Sequence, residues 1–440
     1  MVASTAHVDS AALALRLRPM SRPFGRPACL ALLLSAILLA VPTGQSTPPA
    51  RAAERRGLWV VRSSLTSPAS ISRMIEGAHA AGFNTILVQV RGRGDAYYAS
   101  EIEPRAEALR AETAAFDPLD ETLREAHARG LAVVAWVTVN LVASAHELPR
   151  AATHVVNRSP EWLMVPRALA QELAGAAPQS PGYVGRIARW TRARSSDVEG
   201  LYTSPLHPAA AAHTVSVVAD LARRYALDGV HLDYVRYPGA DFDYSRTALE
   251  EFRHSVLPDL LRQEAAALDA KRKDDVLAYA DMFPQRWAAF RRSRLTALVM
   301  RMRDAVRRAR PTASLSAAVV PDAEQAVTVK LQEWTRWLDT GLLDAACPMA
   351  YTPDPVQFDA QIRSAVAAAG TGEIWAGIGA YRLTPDQTVD RIASARRLGA
   401  SGVVLFSYDS LVEPAQPVTY LADVGRAAFP RDTPGSGGSR

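Results

Sequence analysis

The chain has 440 residues, 48% hydrophobic and 22% charged, a balance that supports a large core and excludes a disordered polyelectrolyte. Its formal net charge is +5, but four arginines (Arg16, Arg18, Arg22, Arg26) against Asp9 place a net +3 in the first fifty residues and leave +2 on the rest. That small excess gives no sign of nucleic-acid binding and none is expected, and the two cysteines, Cys29 and Cys347, exclude a disulfide framework or a cysteine-built zinc site after removal of a leader.

In chain order, the arginines precede an apolar run at 28–41 that ends in Pro42, Thr43 and Gly44, the pattern of a secretory signal peptide. The run falls short of the roughly 20 residues a membrane-spanning helix needs, and Cys29 opens it, whereas a lipidated cysteine would close it. Residues 1–50 are therefore expected to be signal peptide and linker, the protein exported to the periplasm, envelope or exterior, and no stable membrane span to remain after cleavage. A retained anchor is the alternative.

After a Pro-, Ala- and Arg-containing linker, β-rich runs fall at 58–62, 85–90, 132–139, 229–234, 314–320, 343–349, 375–380 and 403–407. Helical patterns between them include 70–81, 117–129, 209–225, 293–308, 354–369 and 384–398. Eight apolar runs alternating with helices predict an α/β chain closed as a (β/α)8 TIM barrel over 55–430. Gly82, Gly130, Gly370 and Gly399 stand where helices should end. Insertions at 141–208 and 238–292 follow the third and fourth strands, on the face where βα loops build active sites. The closing 431–440, rich in Gly and Ser, reads as a disordered tail.

The sharpest chemical signal is Asp228-Gly229-Val230-His231-Leu232-Asp233-Tyr234-Val235-Arg236-Tyr237. A period of two puts His231 and Asp233 on one face, with Asp233 near the rim. A carboxylate there suits a glycosidic acid or nucleophile, and an ion pair with Arg236 is the structural alternative. His231 serves equally as a substrate contact or as an interior histidine. In the second strand Gln89-Val90-Arg91 runs into a loop bearing Gly92, Arg93, Gly94 and Asp95; Arg91 either forks onto a substrate group or pairs with Asp95. Trp136, Asn140, Tyr351, Tyr381, Phe406 and Tyr408 stand near other strand ends, where aromatic faces suit sugar rings. Tyr237 and Arg236 complete the expected substrate-binding set. No metal or cofactor is expected, because strand ends lack clustered ligands.

These residues lie in motifs that resemble the glycosyl-hydrolase-like family ten. They are Arg56-Gly57-Leu58-Trp59-Val60, Gly82-Phe83-Asn84-Thr85, Gly94-Asp95-Ala96-Tyr97-Tyr98, Phe116-Asp117-Pro118-Leu119, Glu125-Ala126-His127-Ala128-Arg129-Gly130-Leu131, the strand-four segment, and Pro348-Met349-Ala350-Tyr351. The resemblance covers roughly 55–410 and implies an exported barrel glycosidase acting on a polysaccharide, in some members peptidoglycan glycan. The chain departs from that pattern in lacking an Asn-Pro turn after strand three and in having one Asp in strand four where many members have two. A glycosidase ordinarily uses two carboxyl groups. Asp322 and Glu324, past strand five, are the expected partners of Asp233, with Asp95 and Asp409 as alternatives; acids that merely begin a helix are the structural account of the first two. Against hydrolysis stand a catalytically silent glycan-binding barrel and a metal-dependent hydrolase.

Overall fold

The computed structural model describes residues 54–429; the segments read as signal peptide and tail lie outside the described residues. The strands in chain order are β1 (Arg55–Val60), β2 (Thr85–Arg91), β3 (Ala132–Thr138), β4 (Leu141–Ala143), β5 (Leu201–Tyr202), β6 (Gly229–Asp233), β7 (Ser314–Val319), β8 (Ala345–Ala350), β9 (Glu373–Ile378) and β10 (Gly402–Leu405). All but β4 and β5 form a closed parallel barrel in which β6 lies beside β3 and β10 returns to β1. The expected TIM barrel is thus the fold, with all eight strands where the apolar runs place them to within a few residues.

Alternation along the strands divides two cores. Outward residues such as Ile86, Val88 and Val90 join Ile71, Met74 and Ile75 of the helix Pro68–Ala80 in the main core. Inward Trp59, Leu87, Trp136, Cys347, Trp375 and Val404 fill the barrel itself. The helices start on strong caps: Ser67 and Thr384 form capping boxes, and the Asp117 carboxylate accepts from the N–H groups of Leu119 and Asp120. At one helix exit Gly82 takes φ 77°, a left-handed conformation that lets the chain turn at once into β2.

The floor of the barrel repeats one device. Asn84 Oδ1 accepts from Arg56 N at 2.9 Å, Asp228 Oδ2 from Val133 N at 2.7 Å, and Asp344 Oδ2 from Leu315 N at 2.7 Å. Each side chain precedes one strand and satisfies an N–H at the start of its neighbour. Asp344→Ala is therefore expected to lose about 1–2 kcal/mol, because a part-buried N–H is left without its acceptor. A lower urea midpoint with an unchanged slope is the readout.

The two insertions fold as additions to the rim. In the first, β4 and β5 pair antiparallel, and Val142, Val155, Leu163, Tyr183 and Ile187 form a small core of their own with the helix Pro181–Arg192. In the second, the helices Arg246–Val256 and Arg262–Arg272 lead into Pro284–Ala309, where Trp287 packs against Tyr244 and Phe252. No helix among the described residues is long and apolar enough to cross a membrane.

Candidate active site

A cleft of about 220 Å³ opens at the C-terminal ends of the strands, lined by Trp59 and Val61 from the first, Gln89, Gly92 and Arg93 from the second, Trp136 and Thr138 from the third, and Asp233, Tyr234 and Arg236 from β6. Met349, Tyr351 and Phe406 close the opposite side. Asp233 is the sole carboxylate among the described residues lining it.

Asp233 is held on three sides. Trp136 Nε1 donates to its Oδ2 at 3.1 Å, the Tyr234 N–H donates to its Oδ1 at 2.7 Å, and Arg236 Nη1 lies 3.6 Å from Oδ1. The second contact exists because Tyr234 takes φ 50°, turning the chain sharply where the strand ends. The same turn folds Arg236 back over the Tyr234 ring, 4.2 Å from its centroid. Burial pushes the Asp233 carboxyl above the ordinary range for aspartate, and Arg236, the Tyr234 N–H and Trp136 only partly oppose that shift. The carboxyl is thus poised to hold a proton at a higher pH than a surface aspartate does.

Arg236 also reaches Glu199 of the first insertion, Nη2 to Oε1 at 3.5 Å, and Tyr202 donates to Glu199 Oε2 at 2.6 Å. One guanidinium therefore joins two carboxylates, and the Glu199 charge further disfavours ionisation of Asp233. Burial alone would raise the Glu199 carboxyl, but Arg236 and the Tyr202 hydroxyl outweigh it and hold it below its usual range. Removing Arg236 takes away the main force lowering the Asp233 pKa. Arg236→Gln is expected to move the limb of the pH–rate profile governed by Asp233 to higher pH by about one unit, measured as kcat/KM against pH.

The aromatic residues form a connected wall. Tyr351 and Phe406 stack with centroids 5.3 Å apart, and Trp59 and Trp136 present edges to Phe406 at 5.8 and 6.3 Å. Tyr381 extends the wall to the rim, 6.1 Å from Phe406 and 42% exposed.

Of the residues expected from sequence, the structure brings Asp233, Trp136, Arg236 and Tyr351 into the cleft and Tyr381 to its edge. Asn140 supports from behind, donating through Nδ2 to the Arg236 carbonyl at 3.2 Å. The others are elsewhere. Arg91 is buried in a two-pronged ion pair with Glu103, 2.6 and 2.7 Å, in place of the alternative pairing with Asp95. His231 is wholly buried beneath the cleft, its Nδ1 2.9 Å from Ser316 Oγ and its ring edge-on to Trp59. Burial pushes its imidazole down to about 3, so it stays neutral, the interior histidine of the two alternatives. Tyr237 points away, donating to the Arg291 carbonyl at 3.3 Å, and Tyr408 faces an outer groove beside Gly77.

Asp322 and Glu324 are exposed and do not meet Asp233; Asp322 caps the helix Ala323–Thr328 by accepting from Gln325 N at 2.8 Å. Asp95 accepts from Arg93 N at 2.8 Å. Asp409 accepts from Val61 N at 2.6 Å and from the hydroxyls of Ser63 and Ser64. Gln89, Thr138, Arg62, Arg93 and Glu199 have no role assigned to them from the sequence. The first four stand at strand ends, so the rule that found Trp136 also reaches them. Glu199 lies deep in an insertion and carries no such signal. Among the described residues no three His, Cys, Asp or Glu side chains gather as a metal site requires.

Comparison with known proteins places this geometry in context. Glycosyl hydrolase DigH of Escherichia coli K12 and the protein of the same name from Shigella flexneri are each 27% identical over 261 residues, half of this chain and 54% of theirs. The chain thus spans about half the length of these curated relatives. Among solved structures, the glycoside hydrolase domain of PgaB (BpsB) from Bordetella bronchiseptica superposes with a TM-score of 0.56 at 15% identity, covering 84% of this chain and 98% of that one. The catalytic domain of β-amylase from Paenibacillus polymyxa gives 0.55 at 13%, over 86% and 98%. At such identities these likenesses speak for the barrel fold alone. The model of the family Glycosyl hydrolase-like 10 matches residues 54–390, nearly the whole barrel, and the chain belongs to that family.

Proposed function

We propose that the protein is an exported glycoside hydrolase acting on a polysaccharide, with bacterial cell-wall glycan as the substrate class and Asp233 as the carboxyl group that exchanges a proton at the scissile bond. The observation that carries this is Asp233 itself, buried at the end of β6, raised in pKa and facing an aromatic-walled cleft. A sugar ring lying on Tyr351 and Phe406 buries its C–H face and leaves its hydroxyls to Gln89, Thr138 and Arg236. Glu199, joined to Asp233 through Arg236 but outside the cleft lining, is the candidate for the second carboxyl group of such a reaction. Family membership and the names of the curated relatives support this reading; the apolar segment at 28–41 is the basis for export.

The test is release of reducing ends by the purified chain, from about residue 51 onward, on intact and peptide-free cell-wall glycan and on common polysaccharides, with Asp233→Asn in parallel. Cleavage by the wild type that the variant lacks supports the proposal, and cleavage that persists in Asp233→Asn rejects it. A second reading, a glycan-binding barrel without turnover, is favoured by the single carboxylate that lines the cleft. Retention on a glycan with no cleavage of any polymer selects it.

A further inference from the structure

We propose that a second cavity, walled by the first insertion, is the distal half of the same substrate groove, and that Arg62 and Arg93 at the junction bind a carboxylate carried by the polymer. This assignment rests on the glycosidase proposal and names the charge and extent of the substrate.

The outer cavity holds about 570 Å³ and lies between the loop after β2 and the segment bearing His146, Leu148 and Arg150. Arg62 and Arg93 line both it and the Asp233 cleft, so the two spaces share these residues as a common wall. The inner cleft alone, about 220 Å³, is small against the roughly 300–1,000 Å³ of common ligand pockets. Joined to the outer one, it becomes a groove long enough for consecutive sugars.

Neither arginine forms an ion pair among the described residues, with Asp95, Glu107 and Glu147 lining the outer cavity beside them. Arg62 Nη1 donates to the neutral side-chain amide of Gln89 at 2.9 Å. Arg93 Nη1 is buried with no hydrogen-bond partner. Among the described residues neither has a carboxylate within ion-pair distance, whereas Arg91 and Arg236 close by both do. A buried guanidinium N–H without an acceptor is costly, and the group that best relieves the cost where two arginines line one junction is a planar anion such as a carboxylate.

The loop is also built to hold Arg93 in place. Asp95 Oδ1 accepts from its backbone N–H at 2.8 Å, and His154 Nε2 lies 2.7 Å from its carbonyl oxygen. Both ends of the residue are thus pinned, one of them by the insertion that walls the outer cavity. Arg62 lies across Gly92, where a Cβ would come within 2.5 Å of its Cδ, so the absence of a side chain there makes room for it. Rigid placement before binding is what a recognition site requires.

The experiment is titration calorimetry on the full chain carrying Asp233→Asn, so that binding is read without turnover. The probes are peptide-free cell-wall glycan oligosaccharides of two, four and six sugars with free carboxylates, and the same oligosaccharides with the carboxyls reduced to alcohols. Affinity is expected to rise at least tenfold from the shortest to the longest acidic chain, and carboxyl reduction to lower it at least tenfold. Adding Arg93→Gln should remove most of the preference for the carboxylate form, with Arg62→Gln as a second variant if the first does not fold. Leu148→Ser with Arg150→Ala should cost more on six sugars than on two.

Equal affinity for native and reduced chains, no gain with length, or no binding of any probe overturns the assignment. The two proposals fail separately. Acidic, length-dependent binding by a wild type that hydrolyses nothing removes only the glycosidase reading; hydrolysis without either dependence removes only the groove.

Discussion

Asp233→Asn is expected to lower kcat/KM by about three orders of magnitude, the middle of the roughly 10²–10⁴ range for deleting a general acid or base. The substitution keeps the shape of the side chain but removes both its proton exchange and its charge. It also has a local structural effect. Both carboxylate oxygens accept N–H donors, from Tyr234 and from Trp136, and an amide offers only one oxygen. Either donor then faces an NH2 group, an unsatisfied contact worth about 1–3 kcal/mol. The kinetic assay therefore needs a stability measurement beside it. A variant that stays folded at the assay temperature and loses kcat with little change in KM has lost chemistry, whereas one with wild-type kcat removes Asp233 from the reaction.

The barrel was legible because its strands need little beyond continuous apolar runs of the right length and spacing, and helices cover every outer face. The site was legible where a side chain follows strand alternation and obscure where it does not. His231 and Asp233 share the inner face as a period of two requires, and Trp136 follows the same rule on β3. Arg91 fails it for a local reason. The register between β2 and β3 shifts between Gln89 and Arg91, so Gln89 faces the cleft while Arg91, two residues on, turns out to Glu103.

Tyr237 fails because the left-handed turn at Tyr234 ends the alternation before it is reached. Tyr408 lies in the first turn of the short helix Tyr408–Leu411 and is carried to the outside. Asp322 and Glu324 show that proximity in sequence to a strand end is not proximity to the cleft. Asp322 is taken up as the cap of the helix Ala323–Thr328, accepting from Gln325 N, and Glu324 lies in that helix's first turn. Glu199 and the β4–β5 ribbon depend on a return of the chain some sixty residues later, a contact that no local pattern encodes.

Glu103→Gln is expected to be the most destabilising of the substitutions considered, by about 3–5 kcal/mol, because it strips the counter-charge from a guanidinium that has no other anion to face. Arg91 and Glu103 are 1% and 2% exposed and joined by two parallel bonds. His213 Nε2 adds a contact of 3.2 Å to Glu103 Oε1. Arg91 also donates to the carbonyls of Thr138 and Val139, so the pair ties the loop after β2 to the end of β3, and Thr138 is part of the cleft wall.

Burial on its own would raise the Glu103 carboxyl, but Arg91 and His213 more than reverse this and bring it down to about 2. The folded pKa lies below the unfolded value of about 4.3, so the stabilisation is complete above the unfolded value and fades as pH falls toward the folded one. The urea midpoints of wild type and Glu103→Gln should accordingly lie far apart at pH 7 and converge between about pH 4.5 and 2. Replacing both members, Arg91→Met with Glu103→Leu, should recover much of the loss, since an apolar pair leaves no buried charge unmatched. If the single variant is as stable as wild type at pH 7, the ion pair is not what holds the β2 loop against β3, and the cleft wall owes its position to the aromatic packing alone.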